Sequence, residues 1–253
     1  MWNAPKVGYL VGFMVLKNLP DYDAVLVRLI HSELLAVLPR KWMIRNYRQG
    51  ETGWASIVEI KGPRITLSQR NPVYVRKMIE YLFSDVLVKN SMKVKRVAGI
   101  SGSNLYKVAI DPGSVPVETS DDLFDFLKPH FNGFEPSTYF GEGTRMYFVR
   151  FDPDPERYVL NALCPPGRRE LVLKVIYLEE MRKVRLLVDA QNAGLFIGRK
   201  GENLITAMKL TDLEIEVKGV SMDVYQEFRK SFPETALNFT GLSRLNSMDG
   251  GEE

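Results

Sequence analysis

At Asn71 the hydrophobic period of this chain changes, and the change limits what can fold on either side of it. Before it lie short apolar runs rich in β-branched and aromatic residues: Val7 to Leu16, Ala24 to Ile30, Leu34 to Leu38, Trp54 to Ile60 and Arg64 to Ser68. Turn-rich stretches such as "NLPDYD", "RNYRQGETG" and "KGP" separate them, so they read as five strands with no long helix between. That pattern predicts a small β-barrel, with a small all-β sandwich as the alternative. From Asn71 onward, Val75, Met78, Ile79 and Leu82 recur at helical spacing behind a capping Asn71 and a first-turn Pro72. The first unit is therefore expected to occupy residues 1–70.

After that helix the order of elements is read twice. Strands over "MKVKRVAGI" and "NLYKVAI" flank the turn "SGS", a helix covers "TSDDLFDFLKPHF", and a loop leads to a strand from Arg145 to Phe151. A helix behind Asp154 and Pro155 then precedes a hairpin of "ELVLKVIYLEE" and "KVRLLVD". Two helical segments flank "GRKG", and Leu213 to Val217 forms a last strand. The recurrence predicts an internal structural repeat, with units at 71–152 and 153–232. A short helix over "MDVYQEFRK" closes the second unit, and the tail 233–253 is expected to be flexible. The fold class is α+β, multidomain.

Composition sets outer limits. The 253 residues are 45% hydrophobic and 26% charged, enough material for packed cores. Thirty-four Lys and Arg against 31 Asp and Glu give a net charge of +3, which permits a polyanionic partner without requiring one. One cysteine and two histidines leave no disulfide framework and no Cys/His metal spacing. No metal or cofactor is expected, Cys164 reads as a buried thiol, and a reducing cytoplasm fits. The stretch Val7 to Leu16 is too short to span a bilayer and reads as a first strand, so no membrane partner is expected.

Three G-x-x-G tetrapeptides occur, and context separates them. "GETG" at 50–53 lies between strands and "GISG" at 99–102 lies in a hairpin, where glycine serves tight turns. "GRKG" at 198–201 joins two helical segments, so the second helix points its free amides into the loop. Helix N-termini attract phosphate, glycines let a nucleic-acid backbone approach closely, and Arg199 and Lys200 add positive charge.

The stretch "GLFIGRKGENLITAMKLTDLEIEV" resembles the KH domain in its type II, bacterial order, a family whose G-x-x-G loop clamps single-stranded nucleic acid beside an apolar groove. The resemblance implies that Gly198, Arg199, Lys200 and Gly201 hold phosphates and that Ile197, Leu204 and Ile215 lie in the groove. More widely, "LLAVLPRKWMIRNYRQGE", "GPRITLSQRNPVYVRKMIE", "DPERYVLNALCP" and the loop segment resemble, in order, the NusA family of transcription factors. Their RNA-binding body is an S1 barrel, an oligonucleotide-binding type, followed by two KH domains. The family's N-terminal polymerase-binding domain is expected to be missing. The first KH unit is also degenerate: its glycine loop should fall near "SVPVETSDDLFDF", which has no G-x-x-G and carries Glu118, Asp121, Asp122 and Asp125. Those carboxylates would repel a phosphate backbone.

S1-type barrels bind single strands by aromatic stacking in a basic groove. The resemblance points to Phe13, Trp42, Tyr47 and Trp54 as candidate stacking residues, interleaved with Lys17, Arg28, Arg40, Lys41, Arg45 and Arg48. No phosphate-binding Walker loop, zinc spacing or nucleophile motif is present. Asp152 and Asp154, or Glu179 and Glu180, read as helix-capping and solvated charges. The expected function is non-catalytic binding of single-stranded RNA, the nascent transcript, with RNA polymerase or other transcription factors as candidate protein partners. The alternatives are an RNA-binding factor acting in ribosome assembly, translation or mRNA metabolism, and a scaffold whose units all bind protein.

Overall fold

In the computed structural model, residues 4–100, 103–131 and 134–231 are described. The tail 233–253 and part of the "GISG" turn lie outside them.

The first five strands are β1 (Leu10–Leu19), β2 (Ala24–Leu29), β3 (Leu35–Pro39), β4 (Thr52–Lys61) and β5 (Arg64–Ser68). They close into a barrel in the order β1-β2-β3-β5-β4, as in an S1-type oligonucleotide-binding fold. The sandwich alternative is thereby removed. Val11, Phe13 and Val15 of β1 point inward and meet Val25, Val27, Leu29, Ile57 and Leu67 in a closed apolar core. The first strand begins at Leu10 rather than Val7, because Val7 and Gly8 form a turn closed by the Tyr9 amide on the Lys6 carbonyl at 3.1 Å.

Helix α1 (Pro72–Leu82) follows, with the Asn71 side chain accepting a 2.7 Å hydrogen bond from the Tyr74 backbone N–H. The same Asn71 oxygen accepts from Ser56 Oγ of β4 at 2.9 Å, so the cap that starts the helix also ties it to the barrel. Arg70 strengthens the junction by donating to the Met43 carbonyl at 2.7 Å and to Asn104 at 3.3 Å.

Next come α2 (Ser84–Lys89), β6 (Lys93–Gly99), β7 (Leu105–Asp111), α3 (Ser120–Leu127), α4 (Pro136–Phe140) and β8 (Arg145–Arg150). The sequence gives only a loop where α4 forms. A second set follows: α5 (Pro155–Leu163), β9 (Val172–Leu178), β10 (Lys183–Asp189), α6 (Ala193–Ile197), α7 (Glu202–Thr211), β11 (Glu214–Val220) and α8 (Met222–Ser231).

The two sheets share one topology. In the order β6-β7-β8, the first pair is antiparallel and the second parallel, and β9-β10-β11 repeats this. Both sets resemble KH units, and the repeat read from the sequence is present in the fold.

The central strand of the first sheet is enclosed on both faces. Tyr106, Val108 and Ile110 of β7 enter the core built with α1 and α3. The opposite face of the same sheet, through Ala98, Ala109 and Val149, joins the core of the second set beside Tyr158, Val159 and Ala162 of α5 and Ala207 and Leu210 of α7. The second set is thus packed directly on the sheet of the first by apolar burial, a term of roughly 25 cal/mol per Å².

Candidate nucleic-acid interface

The "GRKG" loop stands between α6 and α7, and its backbone requires glycine at 198 and favours it at 201. Gly198 has φ 75° and ψ 170°, a region closed to side chains, and Gly201 has φ 74°. Lys200 is itself left-handed at φ 52°, so three of four loop residues have positive φ. This curl ends at the N-terminus of the ten-residue α7, whose first-turn amides carry the positive end of the helix dipole.

Arg199 and Lys200 are exposed, and among the described residues neither side chain is held by a hydrogen bond or ion pair. Glu202, the first residue of α7, would repel an approaching phosphate. Arg145 from β8 meets it at 2.8 Å and offsets that charge.

One residue behind the loop organises it. The Asn203 side-chain amide donates to the carbonyls of Phe196 at 2.7 Å and Leu163 at 2.9 Å, joining the ends of α6 and α5 to the start of α7. A Cβ on Gly198 would lie 2.7 Å from the Cβ of Asn203, which fixes the first glycine of the loop.

A cleft of about 570 Å³ opens beside the loop between the two KH-like sets, with Gly198 and Arg199 on one wall and Phe124, Tyr147 and Arg145 on another. Sequence reasoning missed Arg145, Asn203 and Tyr147 as neighbours of the loop. Nothing local marks Arg145 and Tyr147, which lie more than fifty residues from it, and Asn203, two residues past the loop, shows its role only through its contacts with Leu163 and Phe196.

The groove residues divide. Ile197 and Leu204 are half-buried beside the loop. Ile215 is corrected: at 4% exposure it sits inside the core opposite Val184, so it offers no surface to a base. The exposed apolar side chains flanking the loop are instead Leu195 and Ile205.

The aromatic residues of the barrel need more correction. Phe13 is 0% exposed and stands edge-on to Tyr47 with ring centroids 5.3 Å apart, so it is core and cannot stack on a base. Tyr47 is 7% exposed, and its hydroxyl accepts from Gln69 at 2.8 Å. Burial pushes its pKa up. Trp42 is half-buried, with the Lys41 ammonium 5.1 Å from its ring centre. Trp54 is 48% exposed but leans on Tyr81 of α1, 6.2 Å between centroids, on the side of the barrel that meets the helix.

Strand register places most of the basic candidates at one rim, where β1 and β3 end and β2 and β4 begin: Lys17, Arg40, Lys41, Arg45 and Arg48. Arg28 is separated from them, at the far end of β2 beside Glu33 at 3.9 Å. Within the rim, Arg45 is taken by Glu51 at 2.9 Å and by the Tyr47 ring at 4.2 Å, and Arg40 lies 3.6 Å from Asp23.

The acidic stretch of the first KH-like set runs into the start of helix α3. Asp122 and Thr119 form a capping box at the start of α3, and Asp121 accepts from the Gly167 amide at 2.9 Å.

Asp154 caps α5 through the Arg157 amide at 2.8 Å, while Asp152 is buried against Arg150 rather than solvated. Cys164 is half-buried, and burial pushes its thiol up to about 11. No group of three or more His, Cys, Asp or Glu that could hold a metal ion occurs among the described residues. No helix among them is long and apolar enough to cross a membrane.

No protein-family model matches the chain. A transcription termination/antitermination protein NusA from Halalkalibacterium halodurans is 28% identical over 207 residues, 79% of this chain and 51% of that protein. The protein of the same name from Rickettsia conorii is 23% identical over 228 residues, 88% of this chain and 44% of its own. The chain thus spans about half the length of these curated relatives. A solved structure of APE1850 aligns with 55% of this chain and 96% of its own, at 17% identity and a TM-score of 0.34. In sequence the chain is therefore NusA-like, at a distance, over most of its own length.

Proposed function

We propose that this chain is a NusA-like, non-catalytic RNA-binding factor that acts in the cytoplasm on nascent transcripts. The observation that carries the reading is the "GRKG" loop: two positive-φ glycines, two unengaged cations and the N-terminus of α7 converge on one exposed point. An anion placed there meets backbone amides, the helix dipole and two side-chain charges, and a phosphodiester backbone fits between glycines that bear no side chain.

Three units share the work, divided near residues 70 and 152. The second KH-like unit grips phosphates with Gly198, Arg199, Lys200 and Gly201, beside Ile197 and Leu204. The barrel adds long-range attraction from its basic rim, Lys17, Arg40, Lys41 and Arg48. The first KH-like unit binds no phosphate by a glycine loop and holds the other two in place. Similarity to NusA proteins over most of the chain supports action in transcription, and RNA polymerase is a candidate partner.

Fluorescence-anisotropy titration of single-stranded RNA oligomers tests this, comparing the wild type with Arg199→Asp plus Lys200→Asp at two salt concentrations. A folded double variant that loses most of its affinity supports the reading. Equal binding by both proteins overturns the loop as the RNA site. A pull-down from bacterial extract then separates polymerase from ribosomal partners.

A further inference from the structure

Lys107 is the anomaly of the fold. It lies on β7, the central strand of the first KH-like set, and is 2% exposed. Its face of the sheet carries Ala109 and packs against α5 and α7. No carboxylate approaches its ammonium within an ion pair among the described residues. The three N–H donors instead meet neutral oxygens: the Ala162 carbonyl at the end of α5, Asn203 Oδ1 at 2.6 Å and the Asn203 carbonyl at 3.3 Å.

An ammonium taken out of water without a counter-ion is costly, and burial lowers its pKa to about 7. An apolar side chain of similar length would fill the same space. What the lysine adds is direction. It fixes Asn203 Oδ1, which leaves the Asn203 amide nitrogen oriented toward Phe196 and Leu163. Asn203 in turn is the residue against which Gly198 closes. A chain of contacts therefore runs from β7 of one unit to the first glycine of the loop in the other.

We infer that Lys107 is a positioning residue for the "GRKG" grip, through which the first KH-like unit, lacking a glycine loop, sets the RNA affinity of the second. The inference rests on the proposed RNA-binding role of that loop. Lys107 lies at the floor of the cleft beside the loop, 2% exposed, with its ammonium turned to Ala162 and Asn203 rather than to the surface. Its effect reaches the phosphates only by holding Asn203, and so the curl at Gly198.

The test is a double-mutant cycle on the full chain, read by anisotropy with a single-stranded RNA oligomer at a temperature where every variant is folded by circular dichroism. Lys107→Met and Asn203→Ala are each expected to weaken binding at least about fivefold, and the double variant no more than the weaker single one, because they cut one connection. Hydrogen exchange supplies the second readout: amides 198–203 are expected to exchange faster in Lys107→Met, with β9 and β10 unchanged. A folded Lys107→Met that binds like the wild type overturns the inference, as do effects that simply add. If Lys107→Met fails to fold, Lys107→Gln, too short to reach Asn203, takes its place in the cycle: affinity like the wild type overturns the inference, and weakened binding that does not add to that of Asn203→Ala, with faster exchange at 198–203, supports it. Arg199→Asp plus Lys200→Asp, run alongside, separates the two ideas. If that pair leaves RNA binding intact, the loop reading itself has failed; if it abolishes binding while Lys107→Met does not weaken it, only the role of Lys107 has failed.

Discussion

A side chain at Gly198 and the side chain of Asn203 cannot occupy the structure together, since a Cβ at 198 would lie 2.7 Å from the Asn203 Cβ. The two are five residues apart in sequence and form the inner wall of the loop. Gly198→Ala must both adopt φ near 75° and displace Asn203. A cost of about 1–3 kcal/mol is expected from the backbone strain. Urea denaturation checks the stability, and a lower RNA affinity in the folded variant checks the loop. Gly194→Ala is the control, since its Cβ would meet nothing within 4 Å.

Lys107 gives stability a specific pH dependence. Its pKa is about 7 in the fold against an ordinary 10.5, so between those values the unfolded chain binds more protons than the folded one. Stability therefore rises as pH increases through this window, and below about pH 7 the cost of the buried ammonium is felt in full. A gain on the order of 2 kcal/mol is expected from pH 7 to pH 9. Asp121, Arg145, Tyr147, Cys164, Arg199 and Glu202 line the cleft that Lys107 also borders, and comparison with Lys107→Met isolates the part due to the lysine. Urea midpoints at pH 6, 7.5 and 9 should climb in the wild type and stay nearly level in that variant.

Phe13 and Trp54 should separate cleanly. Phe13→Ala opens a cavity in the closed barrel and is expected to cost about 3–5 kcal/mol. Trp54→Ala removes a half-exposed ring from its contact with Tyr81 and is expected to cost about 1 kcal/mol. Equal losses in thermal denaturation would mean that the barrel core is not organised around Phe13.

Arg145→Ala tests the charge balance at the start of α7. Arg145 is exposed and Glu202 half-buried, so loss of the pair should change stability by no more than about 1 kcal/mol. Leaving Glu202 uncompensated beside the loop should weaken RNA binding, and Arg145→Ala combined with Glu202→Gln should recover most of it. Binding that falls further in the double variant would show Arg145 touching RNA directly.

Much of the architecture was legible because its signals are local. Asn71 and Pro72 mark a helix start, Thr119 and Asp154 mark two more, and the five apolar runs before residue 70 are five strands. The parity of Phe13 was not legible. In "LVGFMVL" both faces of the strand are apolar, so alternation does not say which of Phe13 and Met14 turns inward. The short helix α4 was missed for a related reason, since five residues behind Pro136 show too little periodicity to register.

The sequence by itself determined the order of elements, the repeat and the existence of a glycine loop at a helix start, because caps, turns and periodicity act within a few residues. The tertiary structure alone decided what surrounds that loop. Arg145 reaches Glu202 across 57 residues and Lys107 reaches Asn203 across 96. Whether a lysine is solvated or buried depends on which surfaces pack over it, and packing α5 and α7 onto the first sheet puts Lys107 beneath the loop.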